Sequence, residues 1–208
     1  MSASFIEIIL LGEGVGWLSG FIWIKKYDTM KKIILVYGLI SGAIVGAMML
    51  ITMPLYQNGT LKFENGEWLG YTTMVIALSL VFFGIKSYRD HHLRGKITFG
   101  NGLKVGLLIT LVASLIYGIC WEYTYRNMKG DFMQQMSEKY IEKLEKKGLS
   151  EEALAKAKAE MKSYAQMYRN PVIRFAITLM EIAPVGIVIS LLSAGLLRKK
   201  EFLPDATQ

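Results

Sequence analysis

The chain has 208 residues, of which 52% are hydrophobic and 20 are glycine, and its formal charge is +7. So apolar a composition excludes an ordinary soluble domain of this length. The positive charge would suggest nucleic acid in a soluble chain, but it is confined to particular joints, so it reads as a membrane topology signal and no nucleic-acid partner is expected.

The first element is the hardest to read. Phe5 to Ile24 is apolar but contains Glu7 and Glu13, and an acid near a helix centre costs roughly 2.5–3.5 kcal/mol on insertion. Gly12, Gly16 and Gly20 repeat on one helix face, and Lys25 with Lys26 would halt a span there. No basic leader and no small-residue cleavage site is evident, so a cleaved signal peptide is not expected. Two readings stay open: residues 1–29 form a fifth, marginal transmembrane helix, or they are a non-native extension of a chain whose natural start is Met30.

From there four apolar stretches follow, at 33–53, 69–85, 103–121 and 172–197. A helix of about 20 residues spans the hydrocarbon core, so each is long enough to cross. The expected fold is all-α: a polytopic membrane bundle over 30–208, with the lipid bilayer as its main environment. In the first stretch Gly38, Gly42 and Gly46 make a face for close helix packing, which would serve this chain's own helices or a second copy in a homo-oligomer. Gly102 and Gly106, then Gly186, Ser190 and Ala194, repeat the theme.

Between the second and third stretches, His91 and His92 beside Asp90 invite a metal reading. Adjacent side chains diverge, and no further ligand completes a site, so no metal is expected. Cys120 is read as apolar filler. No phosphate loop, metalloprotease motif or nucleophile–base pair is present. The sequence therefore names no catalytic residue, no cofactor and no enzyme activity.

The segment 122–171 carries ten Lys or Arg and eight acids and is the one sizeable aqueous part. Phe132, Met136, Tyr140 and Leu144 form one helical stripe; Leu154, Ala157, Met161, Tyr164 and Tyr168 form another. Gly148 suits a helix end, and Ser150 an N-cap with Glu151 and Glu152 behind it. These signals predict a helical hairpin over 131–169, a candidate surface for a protein partner. Asn170 and Pro171 predict the cap and first turn of the last membrane helix.

Twelve basic residues (Lys25, Lys26, Lys31, Lys32, Lys86, Arg89, Arg94, Lys96, Lys104, Arg198, Lys199, Lys200) fall on one side of this topology. The positive-inside rule then places them and the C-terminus in the cytoplasm of an inner membrane, and the hairpin outside. Tyr56, Trp68, Tyr71, Trp121, Tyr123 and Tyr125 gather at the opposite ends as interfacial anchors.

Phe82-Phe83-Gly84-Ile85-Lys86-Ser87-Tyr88-Arg89-Asp90, Gly95-Lys96-Ile97-Thr98-Phe99 and Lys104-Val105-Gly106 resemble the uncharacterised bacterial membrane family numbered 4199 among domains of unknown function. Met167-Tyr168-Arg169-Asn170-Pro171, Glu181-Ile182-Ala183-Pro184-Val185-Gly186, Leu191-Leu192-Ser193-Ala194 and Leu197-Arg198-Lys199-Lys200 are similar to its C-terminal pattern. The resemblance runs from about Met30 to Lys200 and implies four membrane helices with cytoplasmic ends. It carries no activity.

The remaining chemistry lies in the last span. Glu181 sits near the membrane middle, beside Pro184, which cannot donate a backbone hydrogen bond and predicts a kink with a polar pocket. Arg174 lies on the same face, two turns away, where a bridging water would be needed to pair it with Glu181. The alternative is a protonated Glu181 bonded to Thr110 or Ser79 for packing alone. Two functions follow: an accessory protein presenting the hairpin, which we prefer, or a small transporter or ligand sensor using Glu181, Arg174 and Pro184.

Overall fold

The structure, a computed structural model, describes the backbone of residues 4–58, 60–61, 63–128, 131–199 and 202–203. Side chains are described from Thr29 onward within these, apart from Gln57 and 63–67. The readings that rest on side chains of residues 1–28 lie outside the described residues.

The elements are α1 (Ser4–Gln57), α2 (Phe63–Leu78), α3 (Leu80–His92), α4 (Phe99–Asn127), α5 (Phe132–Lys146), α6 (Glu151–Tyr168) and α7 (Pro171–Leu197), with no strand among the described residues. Four segments are long and apolar enough to cross a membrane: Thr29–Tyr56, Trp68–His92, Phe99–Asn127 and Pro171–Leu197. The chain is an all-α polytopic bundle. The second crossing is α2 and α3 in series, interrupted at Ser79, whose hydroxyl donates to the Ile76 carbonyl at 2.6 Å.

The bundle is built around α4. A Cβ added at Gly38 would meet Val112 at 2.6 Å, one at Gly42 would meet Ile116 at 2.7 Å, and one at Gly46 the Cys120 sulfur at 2.6 Å. Four-residue steps up α1 thus match four-residue steps up α4, so the two run parallel. On another face Gly102 meets Ala194, Gly106 meets Ser190, and Gly186 meets the Thr110 side chain. Here a step up α4 matches a step back along α7, an antiparallel seam. The glycine face of α1 is occupied by the chain's own α4. Lipid supplies no hydrophobic drive between helices, so close backbone approach at small residues is what holds such helices together.

Polar side chains in the spans are mostly satisfied locally. Ser114, Thr124 and Thr178 donate to the carbonyls four residues back at 2.8, 2.8 and 2.9 Å. Ser41, buried and without a hydrogen-bond partner for its hydroxyl, acts as one more small residue on the α1 face.

At one end of the bundle Arg89, 1% exposed, pairs with Asp90 at 2.6 Å and donates to the carbonyls of Phe202 and Leu203 at 2.9 and 2.6 Å. This tucks the segment after α7 under α3, with Phe202 edge-on to Phe82. Arg89 belongs to the basic group in sequence, but it is spent inside the fold. At the other end α5 and α6 form the hairpin, with Gly148 at φ +73° after α5 and Ser150 accepting from the Ala153 amide to cap α6. The buried residues of α5 are Met133 and Ile141, one step round from the expected stripe. Phe132 and Met136 are half-buried in the same cluster as Met133, where Phe132 meets Trp121 of α4.

The seam makes a sharp prediction. Gly42→Val and Gly186→Val should each lower stability by about 1–3 kcal/mol through overpacking, seen as earlier thermal unfolding of the detergent-purified protein. Gly70→Ala and Gly195→Ala, where an added methyl meets nothing within 4 Å, should leave the midpoint unchanged.

Candidate functional site

Helix α4 continues past the end of its apolar stretch at Trp121 and reaches Asn127, so Glu122 and Tyr125 stand on the membrane helix and not in the hairpin. Asn170 caps α7 by accepting from the Val172 and Ile173 amides at 2.9 and 3.4 Å, and Pro171 occupies its first turn. The chain therefore passes from α6 into α7 through only Arg169 and Asn170, and Arg174 in the opening turn of α7 faces the end of α4.

Arg174 is 4% exposed and fully engaged. Its Nε and Nη2 donate to the two carboxylate oxygens of Glu122 at 2.7 and 2.6 Å, a bidentate pair. Nη1 donates to the Tyr168 carbonyl at 3.1 Å, and the guanidinium lies 3.9 Å from the Tyr125 ring centre. Around it Trp121 donates its indole N–H to the Tyr168 hydroxyl at 2.7 Å, and Phe132 packs edge-on against Trp121 at 5.1 Å. Burial raises the Tyr168 phenol well above its ordinary value, against the opposing pull of the Trp121 hydrogen bond. One arginine thus ties α4, α6 and α7 together at the foot of the hairpin.

Glu181 lies seven residues further along α7, about 10 Å deeper at 1.5 Å per residue. Its Oε2 accepts from the Tyr117 hydroxyl of α4 at 3.5 Å, while its side chain is exposed on the bundle surface. The expected arrangement is corrected on two points. Arg174 bonds to Glu122 directly and needs no water to Glu181, because α4 extends far enough to meet it. Glu181 faces Tyr117 instead of Thr110 or Ser79, since Thr110 is 3.5 Å from Ser190 in the seam and Ser79 bonds to its own helix. Helix α7 continues on both sides of Pro184, which is exposed. No three His, Cys, Asp or Glu side chains gather to hold a metal among the described residues.

Glu122 escaped the sequence reading because it stands one residue past the apolar stretch. The available signal is Trp121 and Tyr125, which carry the aromatic face of α4 one turn onward and bracket it. Those two rings are packed into the foot, whereas Trp68, Tyr71 and Tyr123 are exposed as interfacial anchors would be.

Four crossing helices with a charged helical hairpin locked to one end define a multi-pass membrane protein. The family model described as protein of unknown function (DUF4199) matches residues 36–199, and the chain belongs to that family. No curated protein and no solved structure matches it.

The Arg174–Glu122 pair has a measurable role. Removing one partner of a buried pair costs about 3–5 kcal/mol, so Arg174→Ala and Glu122→Gln should each destabilise strongly and speed amide exchange at the hairpin foot. Arg174→Lys, which loses the bidentate fork and the ring stack, should fall between these and the wild type. The Arg174→Met, Glu122→Gln double variant should lose less than the two single losses together, and simple additivity would show that the pair is not coupled.

Proposed function

We propose that the chain is a non-catalytic accessory protein of a bacterial inner membrane, multi-pass with its C-terminus in the cytoplasm, presenting hairpin 131–169 outside to a helical protein partner. The observation that carries this reading is the anchored foot. A hydrophilic segment needed only to connect two spans has no use for a bidentate arginine pair, a ring stack and an aromatic cluster. A segment that presents a surface needs its position fixed.

The surface itself is the shallow groove between α5 and α6 lined by Tyr140, Ala157, Met161, Tyr164 and Met167. Tyr140 and Met167 are 45% and 47% exposed. Met161 and Tyr164 are half-buried and shared with the foot, so charges there would disturb the anchor as well as the surface. The basic residues at the far end of the bundle supply the orientation. A second reading, a ligand-sensing or transporting bundle centred on Glu181, is favoured by one specific observation, the Tyr117 hydroxyl set against an acid at membrane depth.

Purification from native membranes in mild detergent, followed by mass spectrometry, should recover a near-stoichiometric partner. Tyr140→Glu and Met167→Glu should each reduce its capture at least tenfold without moving the thermal midpoint. Undiminished capture by both variants removes the hairpin groove as the docking surface, and a homogeneous protein with no partner removes the accessory reading.

A further inference from the structure

At the bundle end opposite the hairpin, α1 and α4 each carry an exposed lysine at one depth. The parallel register of these helices sets Gly38 against Val112, Gly42 against Ile116 and Gly46 against Cys120. Followed six residues back along both, it brings Lys32 level with Gly106, half a turn from Lys104. Helix α3 covers one side of this helix pair, where Gly84 meets both Tyr37 of α1 and Ile109 of α4, and α7 takes a further face of α4 at Gly102 and Gly106. Lys104 lies on the arc of α4 that remains, in one exposed row with Leu111 and Leu115. Lys32 heads the corresponding exposed row of α1, with Val36 and Leu39. Both rows belong to apolar crossing segments, in which Lys32 stands in the first turn from Thr29 and Lys104 in the second turn from Phe99. The two ammonium groups thus stand at headgroup depth on a lipid-facing surface.

The chain supplies neither lysine with a counter-charge. At this end the one acid whose side chain is described is Asp90, and Lys86 and Arg89 hold it. Among the described residues neither Lys32 nor Lys104 enters an ion pair. The position then selects the anion. A free anion would gain only two charges that salt water screens, whereas a phospholipid gains the charges and also lays its acyl chains along the apolar rows beneath them. A zwitterionic headgroup brings its own amine up to the two ammonium groups, and an anionic headgroup does not. We infer that Lys32 and Lys104 form a headgroup clamp for an anionic phospholipid, in the leaflet opposite the hairpin, with acyl chains along the exposed rows of α1 and α4. The inference goes beyond the accessory reading and holds whichever partner the hairpin takes.

The test titrates the full chain, purified in detergent, with phosphatidylglycerol and with phosphatidylcholine of the same acyl chains, and counts bound lipid by native mass spectrometry. One phosphatidylglycerol per chain should be held roughly tenfold more tightly than phosphatidylcholine, and Lys32→Gln and Lys104→Gln should each weaken it about fivefold. The double variant should hold the two lipids alike, while Lys104→Arg keeps the preference. Lys143→Gln and Lys162→Gln, which remove exposed cations of the hairpin, should change nothing. Thermal midpoints equal to wild type certify that the variants are folded, and Lys32→Met or Lys104→Met replaces a glutamine variant that is not. A large molar excess of inorganic phosphate should leave the lipid bound; displacement assigns the site to a free anion and overturns the lipid clamp. Equal binding of the two lipids by the wild type, or an undiminished preference in the double variant, overturns it as well.

Discussion

The spacing between α4 and α7 governs the rest of the molecule. Gly102 against Ala194, Gly106 against Ser190 and Thr110 against Gly186 let the two backbones approach closely, where dispersion between atoms in contact replaces the hydrophobic drive that lipid cannot give. The same four-residue register, carried along the seam, brings Glu122 opposite Arg174. Slipping one helix by a residue rotates its side chains by about 100°, which would put Thr110 off the Gly186 notch and the arginine off its carboxylate. The small residues and the ion pair are thus two readouts of one alignment. Packing along the span fixes the geometry, and the pair at its end depends on it.

From that pair follows the posture of the hairpin. The foot cluster of Trp121, Met133 and Tyr168 draws in Met49 and Met53 from α1 and Ile177 from α7, so the hairpin rests on three membrane helices. The link between α6 and α7 is too short to let it swing, because Asn170 caps the next helix at once. Further out, α5 and α6 bury Ile141 and Ala157 and carry exposed ion pairs such as Lys146 with Glu142 at 2.8 Å, a kind that solvent screens. The groove of Tyr140 and Met167 thus lies on the hairpin beside its anchored foot.

Much of the architecture was legible because the signals were local. Apolar length marked the spans, Gly148 and Ser150 marked the hairpin turn, and Asn170 with Pro171 marked the start of α7. The glycine faces were visible too, since their spacing is a property of one helix. Their partners were not, because register between helices is set by shape at many positions together. The same limit explains Glu122 and Arg89: each is a charged residue at the margin of an apolar run, indistinguishable in sequence from a solvated one. Only the return of α7 and the segment after it supplies their partners. The α5 stripe erred by one step for a related reason, since the foot takes Phe132, Met133 and Met136 together, a wider face than a single row along the helix.

Arg174 and Glu181 lie on nearly the same face of α7, and the difference between them is what α4 and the end of α6 set opposite. The arginine meets a carboxylate, a carbonyl and an aromatic ring; the glutamate meets one phenol at the limit of a hydrogen bond. A side chain needed there for volume alone would be served by leucine, or by glutamine if the Tyr117 hydroxyl required an acceptor, and neither carries the cost of an acid at membrane depth. The fold shows that it can neutralise a charge thoroughly when the charge is structural, as it does two turns away. Glu181, with one phenol at the limit of a hydrogen bond and an open flank, has no such engagement, which is why the ligand-sensing reading of the bundle rests on it.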